Sequence, residues 1–509
     1  MNKHVLVLGL GISGFALVRW CRKQGATVFV ADSRETPPLL INLEFDFPEV
    51  QFLCHPLDDS LLENREFQKI YKSPGLSPLD IYSLNIAANK KGIVIEGELT
   101  VFLESLEELK LSKNYHPKLL AITGTNGKTT VTALTGKLVE RAGLTVAVAG
   151  NIGPSLLDEL GNKLENNYFP AVWVLEVSSF QLHEIKCFNS TAAAVLNITE
   201  DHLDWHQPID GDRVEALEEY KNSKANIFRQ TSLMVLNRDD PKVMEMLPSP
   251  NYIRQKKIQP RSYITFGSNV PDREGDFGLE KVNGMVWLVR AVKMDVPKKS
   301  NSQELPEVYL QRLMPADALR IRGRHNATNA LASLALATAA GCTLGPMLYG
   351  LREYMGELHR MTSVAILNEV EYFDDSKGTN VGATIAALES LGEDRDVVLI
   401  LGGVGKGQNF LLLKPAVISW VKAVILIGRD AGKIRDALES TFIDLHDAEN
   451  MGKAVLVASQ LAEPGDVVLM SPACASFDMF KDYKHRADMF AEAVHELVLE
   501  AGVHLEHQT

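Results

Sequence analysis

Apolar residues fall along this chain in two alternating rhythms. Short continuous runs, such as His4-Val5-Leu6-Val7-Leu8 and Leu119-Leu120-Ala121-Ile122, read as buried strands. Stretches with apolar positions three and four apart read as helices. The first hundred residues give a strand at 4–8, a helix at 15–23 and a second strand at 27–31. Such alternation predicts parallel sheets with helices on both faces. The polar stretch 111–117 reads as a linker, and a second unit starts at Lys118, with strands at 172–175 and 191–196. Residues 239–314 read as irregular, with short strand candidates at 263–266 and 285–289 and a polar loop at 297–306. An alanine-rich helix is predicted at 326–340, and a third unit follows, with strands near 371–373, 397–401, 423–427 and 467–470. The predicted fold class is α/β in three domains, 1–97, 98–356 and 357–509. These read as a Rossmann-like N-terminal domain, a central P-loop-type domain with a mostly parallel sheet, and a Rossmann-like C-terminal domain.

Composition narrows the class only a little. A length of 509 residues suits several domains, and 46% hydrophobic with 23% charged residues is ordinary for a globular chain. The net charge of −13 argues against broad nucleic-acid binding. Five scattered cysteines without a CxxC pair give no disulfide framework and predict a reducing cytoplasm. No apolar run reaches the about 18 residues of a membrane span. The first residues read as a strand rather than a signal peptide.

The candidate chemistry sits where strands end. After the run 119–122, Gly124-Thr125-Asn126-Gly127-Lys128-Thr129-Thr130 turns from strand to helix. Backbone N–H groups and the helix N-terminus there suit a phosphate, Lys128 reaches the outer phosphates, and the Thr129 hydroxyl suits Mg²⁺. The usual P-loop spacing wants a glycine where Ile122 stands. Gly9-Leu10-Gly11-Ile12-Ser13-Gly14 also follows a strand and opens a helix, with Asp32 ending the next strand. That is the context of a dinucleotide fingerprint, which by itself indicates a phosphate and not a particular nucleotide. Glu176 closes an apolar strand, where a carboxylate suits Mg²⁺. His202 lies in the acidic turn Glu200-Asp201-His202-Leu203-Asp204, which suits a metal site, although Asp201 and Asp204 also fit a plain turn. Asn326 and Asn329 share a helix face, and helix capping by Asn326 fits the spacing equally well. Asp374-Asp375-Ser376-Lys377, Gly402-Gly403-Val404-Gly405-Lys406-Gly407 and Ser471-Pro472-Ala473-Cys474 follow three further strands. Crevices at such ends are where ligands bind in these folds.

Taken in order, GTNGKT, LEVSSFQL, NITEDHLD, GRHNATNA, HRM, DDSKGTN, GGVGKG and SPACASFDMF resemble the Mur ligases of peptidoglycan synthesis along nearly the whole chain. DDSKGTN with SPACASFDMF is most similar to the branch that uses D-glutamate. The resemblance implies a cytoplasmic bacterial ATP-dependent amide ligase. It would add D-glutamate (D-Glu) to UDP-N-acetylmuramoyl-L-alanine (UDP-MurNAc-L-Ala) through an acyl phosphate, as a monomer. The alternatives are a sister ligase adding another amino acid, and an NAD-type oxidoreductase using the N-terminal glycines.

The resemblance also implies residue roles. Gly124, Thr125, Asn126, Gly127, Lys128, Thr129 and Thr130 would hold the ATP phosphates, and Asn326, Asn329, Arg360 and Asp375 the rest of ATP. Thr129 and Glu176 would bind one Mg²⁺. His202 would bind a second with a carbamate formed on Lys224, which by residue type alone reads as a surface lysine. Lys128, Glu176, His202 and Lys224 are thus the catalytic set. Gly11, Ser13, Gly14, Asp32, Arg34 and Gly75 would hold the UDP part, and Asn151 would line the substrate site. Lys377, Thr379, Lys406, Ser476, Phe477 and Tyr483 match positions around D-glutamate. The interval from His202 to Lys224 departs from the family in being longer, with an insertion around 207–215, and Thr100 stands where the family more often has an acid.

Overall fold

The computed structural model describes residues 3–63, 65–248, 260–293, 308–321, 323–391 and 396–501. The chain divides into two compact units. The first comprises Met1–Ile198, Trp205–Met314 and Ala330–Arg352; the second comprises Thr199–Asp204, Pro315–Asn329 and Glu353–Thr509.

Two of the three sheets lie in the first unit. The N-terminal sheet runs β3-β2-β1-β4-β5, all parallel, from β1 (His4–Leu8), β2 (Thr27–Asp32), β3 (Gln51–Cys54), β4 (Lys69–Lys72) and β5 (Ile95–Gly97). The central sheet contains β6 (Lys118–Thr123), β7 (Val146–Gly150), β8 (Val172–Glu176), β9 (Ala192–Val195), β10 (Leu233–Asn237) and β11 (Tyr263–Phe266). It continues with β12 (Phe277–Val282), β13 (Met285–Lys293) and β14 (Val308–Pro315), in the order 14-13-12-11-10-9-6-8-7. Every residue of β8 and β9 is buried. This is why they read as unbroken apolar runs, the mark of parallel strands covered on both faces. Trp173 in β8 is fully buried against the edge of Phe102, and its indole N–H donates to Tyr115 Oη at 2.9 Å.

The second unit carries β15 (Thr362–Leu367), β16 (Val370–Asp374), β17 (Val397–Gly402), β18 (Val421–Ile427), β19 (Asp444–Asp447) and β20 (Val467–Met470), in the order 15-16-20-17-18-19. Asp374 pairs with Met470, and Met470 with Ile400, so three strands end side by side. The three loops singled out after strands in the C-terminal third therefore leave from adjacent positions on one edge.

Two expectations are corrected. The segment 111–117 is not all linker, because helix Glu98–Lys113 runs through its first half and stops at Asn114, a left-handed cap (φ 54°). Residues 239–314 are not irregular where described: β12 and β13 pair antiparallel and extend the central sheet. Charged residues such as Lys281 and Arg290 hide the strands from a reading based on apolar runs. The tight turn Asn283-Gly284 (φ 51° and 83°) joins them, as Asn-Gly does in two-residue hairpins. The expected loop at 297–306 lies outside the described residues.

Gly284 has open space around a would-be Cβ but a left-handed backbone. Gly284→Val should therefore destabilise the first unit by about 1–2 kcal/mol through backbone strain alone. A lowered urea midpoint at unchanged slope is the expected reading.

Candidate active site

The centre of the first unit is the carboxyl edge of β6, β7 and β8. From β6 the chain turns through 124–127 into helix Lys128–Arg141. Asn197, just after β9, pins this turn twice: Asn126 N–H donates to its Oδ1 at 2.8 Å, and its Nδ2 donates to Asn126 O at 3.1 Å. Thr125 N–H also donates to Asn197 O at 3.0 Å. Lys128 Nζ curls back to Gly124 O (2.9 Å) and Thr125 O (2.7 Å). Thr129 and Thr130 are buried.

Beside the turn, Glu176 ends β8 in register with Ile122 of β6 and Gly150 of β7. Its side chain is buried. Asn151 Nδ2 donates to Oε1 at 2.9 Å, while Oε2 meets no donor among the described residues. A Cβ on Gly150 would stand 2.3 Å from Glu176 O, so only glycine lets the strands approach this closely. A buried carboxylate oxygen without a donor is costly, and a divalent cation is the partner that suits it.

Lys224 is not a surface lysine. It is 2% exposed, donates to Gly124 O at 2.9 Å, and lies 4.6 Å from the centre of the Tyr220 ring. Tyr220 in turn bonds Thr125 Oγ1 at 2.9 Å. Two lysines thus converge on the Gly124 carbonyl.

At the N-terminal sheet, Leu10 N–H donates to Asp32 Oδ2 at 2.8 Å, and Arg34 clasps both carboxylate oxygens at 2.8 and 2.7 Å. Burial acts upward on this carboxyl, but Arg34 and the two amides prevail and hold it below the usual carboxylate range. Ser13 and Gly14 open helix Ile12–Lys23, with Gly11 as its cap. Gly75 O accepts from the Trp205 indole at 3.2 Å.

In the second unit a cleft of about 340 Å³ is lined by Asn326 and Arg360 together with Ile321, Met355, Phe373 and Leu391. Asn329 Nδ2 donates to Asn326 Oδ1 at 3.2 Å. Asp375 lies beneath the strand ends, accepting from Ser471 Oγ at 2.7 Å. Burial pushes its carboxyl up to about 7, against the opposing pull of Ser471 and Arg360. His325 is pushed down to about 4 by burial and by Arg360, so its ring is neutral at pH 7. Lys377 Nζ reaches Tyr483 Oη at 3.4 Å, and Thr379 N–H donates to Lys377 O. Ser476 is buried and Phe477 is exposed. Lys406 forms an ion pair with Asp201 at 2.7 Å. His202, in a left-handed backbone conformation, lies 3.6 Å from Asp201 Oδ2.

Three family models match consecutive parts of the chain: the MurD-like N-terminal domain over residues 3–97, the Mur ligase middle domain over 122–337, and the Mur ligase glutamate ligase domain over 359–474. The chain belongs to the Mur ligase family. A UDP-N-acetylmuramoylalanine–D-glutamate ligase from Albidiferax ferrireducens is 57% identical, over 98% of this chain and 97% of its own. Among solved structures, a UDP-N-acetylmuramate–alanine ligase from Thermotoga maritima has a TM-score of 0.55 at 19% identity, covering 97% of this Mur ligase and all of its own chain (100%). A MurF ligase from the same organism, in complex with ADP, has a TM-score of 0.53 at 16% identity, over 97% of this chain and 96% of its own. Both share the three-domain α/β fold.

Several residues of this Mur ligase site escaped the sequence reading. Asn197 was visible only as the first letter of a motif, and Tyr220 drew no reading of its own. Asp201 left open a plain turn and is instead the carboxylate partner of Lys406. Arg486, fully buried, donates to Cys474 O (3.0 Å) and Ser376 O (2.8 Å) and ties two of the loops together. A charged residue inside a helix gives no sequence signal for that role.

Because the folded-state pKa of Asp375 is raised, its contribution to stability is complete at acid pH and is lost as pH rises through about 7. Asp375→Asn should remove that loss. The Tm of the variant relative to wild type should climb between pH 5 and pH 8.

Proposed function

We propose that this Mur ligase joins D-glutamate to UDP-N-acetylmuramoyl-L-alanine, converting ATP to ADP and phosphate. What carries the reading is the phosphate turn at 124–130 with Glu176 beside it, one of whose carboxylate oxygens meets no donor among the described residues, in a chain 57% identical to a relative named for that reaction. The nicotinamide reading of the N-terminal glycines has no support from the family.

An ionised carboxylate resists attack by an amine. The L-alanyl carboxylate therefore attacks the γ-phosphorus, and the bond to the ADP oxygen breaks. The D-glutamate amine then adds to the acyl carbon, loses a proton, and the tetrahedral species expels phosphate. The chain's part is positioning and charge. Backbone N–H groups of the 124–130 turn and Lys128 hold the β- and γ-phosphates, Lys128 exchanging two loop carbonyls for phosphate oxygens. Asn151, fixed by Glu176, lines the substrate site. Asn326, Asn329, Arg360 and Asp375 hold the remainder of ATP. Gly11, Ser13, Gly14, Asp32, Arg34 and Gly75 hold the UDP moiety. Lys377, Thr379, Lys406, Ser476, Phe477 and Tyr483 receive D-glutamate.

Thr129 and Glu176 suit one Mg²⁺, and His202 with a carbamate on Lys224 a second. Bound Mg²⁺ neutralises charge on the transferring phosphoryl group. Among the described residues no three His, Cys, Asp or Glu side chains gather as a metal site. Lys224 is buried beside the turn, with its Nζ on Gly124 O. The reaction belongs in the bacterial cytoplasm, where ATP is available, and the protein acts as a monomer.

Phosphate release should require both UDP-MurNAc-L-Ala and D-glutamate; release with either one alone, or with another amino acid in place of D-glutamate, contradicts the proposal. Lys128→Ala should lower kcat by about 10²–10³, the scale of a lost electrostatic clamp. Lys224→Ala should be inactive and recover partly with added short-chain carboxylates. Full activity without rescue removes the carbamate from the mechanism.

A further inference from the structure

The aromatic side chains between the Gly75 loop and the phosphate turn form a continuous column. Trp205 stacks on Phe180 with centroids 4.6 Å apart and planes 27° apart. His206 follows at 4.6 Å from Trp205, and Tyr220 at 5.2 Å from His206, edge to face. Trp205, His206 and Tyr220 are all nearly fully buried.

Each end of the column is bonded to a loop of the site. At one end the Trp205 indole donates to Gly75 O at 3.2 Å, and buried Lys72 lies 5.4 Å from its ring centre. Lys72 Nζ also donates to Leu76 O at 3.2 Å and pairs with Glu184 at 3.2 Å. At the other end Tyr220 bonds Thr125 Oγ1 and faces Lys224. In the middle, a His206 ring nitrogen meets Ser179 Oγ at 3.0 Å, in the helical turn that follows Glu176. Buried rings in close contact do not compress, so the column fixes the distance between its ends.

We propose that Trp205 and His206 are positioning residues that set the spacing between the nucleotide-sugar loop at Gly75 and the phosphate turn at Thr125. The inference rests on the ligase reading and extends it. Neither residue touches a reacting atom. The column transmits order: a nucleotide sugar that settles the Gly75 loop settles Tyr220 and the phosphate turn with it, so each ligand binds more tightly when the other is present.

The test uses the full-length protein and calorimetry, with UDP-MurNAc-L-Ala and a non-hydrolysable ATP analogue as probes. In wild type, the analogue should bind several-fold more tightly with the nucleotide sugar present. Trp205→Phe keeps the stacked ring and removes the N–H bond to Gly75. It should raise the Kd and KM for UDP-MurNAc-L-Ala about threefold to tenfold, with the Kd of the ATP analogue measured alone unchanged. His206→Leu should abolish the mutual tightening while each ligand still binds alone. His206→Gln, which keeps a polar group facing Ser179, should restore part of it. Equal coupling in wild type and His206→Leu, or an unchanged nucleotide-sugar Kd in Trp205→Phe, overturns the proposal. Wild type that binds no UDP-MurNAc-L-Ala overturns the ligase reading instead. Matching thermal midpoints and circular dichroism separate these outcomes from a failure to fold.

Discussion

The buried carboxylate of Glu176 has one oxygen that meets no donor among the described residues, and three strands converge on it. Glu176 reaches its place because β8 is buried on both faces and flanked in register by β6 and β7. Gly150 permits the backbone approach, and Asn151 satisfies one oxygen and leaves the other without a donor among the described residues. A buried polar atom left without a donor persists only where the fold over-determines it. Three strands and a fixed register do so here.

The same turn gathers positive charge. Lys128 and Lys224 both donate to Gly124 O, and Asn197 holds the turn open between them. Lys128 is bonded to the Gly124 and Thr125 carbonyls, so holding an anion would require it to leave both. In the second unit the logic is different. There, three parallel strand ends bring Asp375, Ser471 and the Lys406 loop together, and Arg486 stitches the loops through their carbonyls.

Much of this was legible in the chain because parallel sheets announce themselves. Fully covered strands must be apolar throughout, and their carboxyl ends must carry the polar loops, so the positions of Lys128, Glu176 and Asp375 follow from periodicity. What stayed hidden has a common cause. The role of Lys224, Tyr220, Asn197 and Arg486 is set by what lies across space from them, and one-dimensional spacing holds no trace of it. Lys224 illustrates this best: a lysine in a polar helix reads as solvent-exposed until the turn it faces is known. The strand β12 was missed, and β13 was caught only over 285–289, for a different reason. Their exposed faces are charged and their alternation is broken, although the Asn283-Gly284 dipeptide was a signal that could have recovered them.

The attachment of that hairpin is slight in its backbone. β12 joins β11 through a single register pair, Phe266 with Phe277, supported by Asp276, which accepts from Thr265 N–H and Oγ1 at 2.7 Å each. Arg238, just after β10, adds a bond to Phe277 O at 2.6 Å. Peeling the hairpin away would cost these few bonds and leave the continuous ladders among β6, β7, β8 and β9 whole.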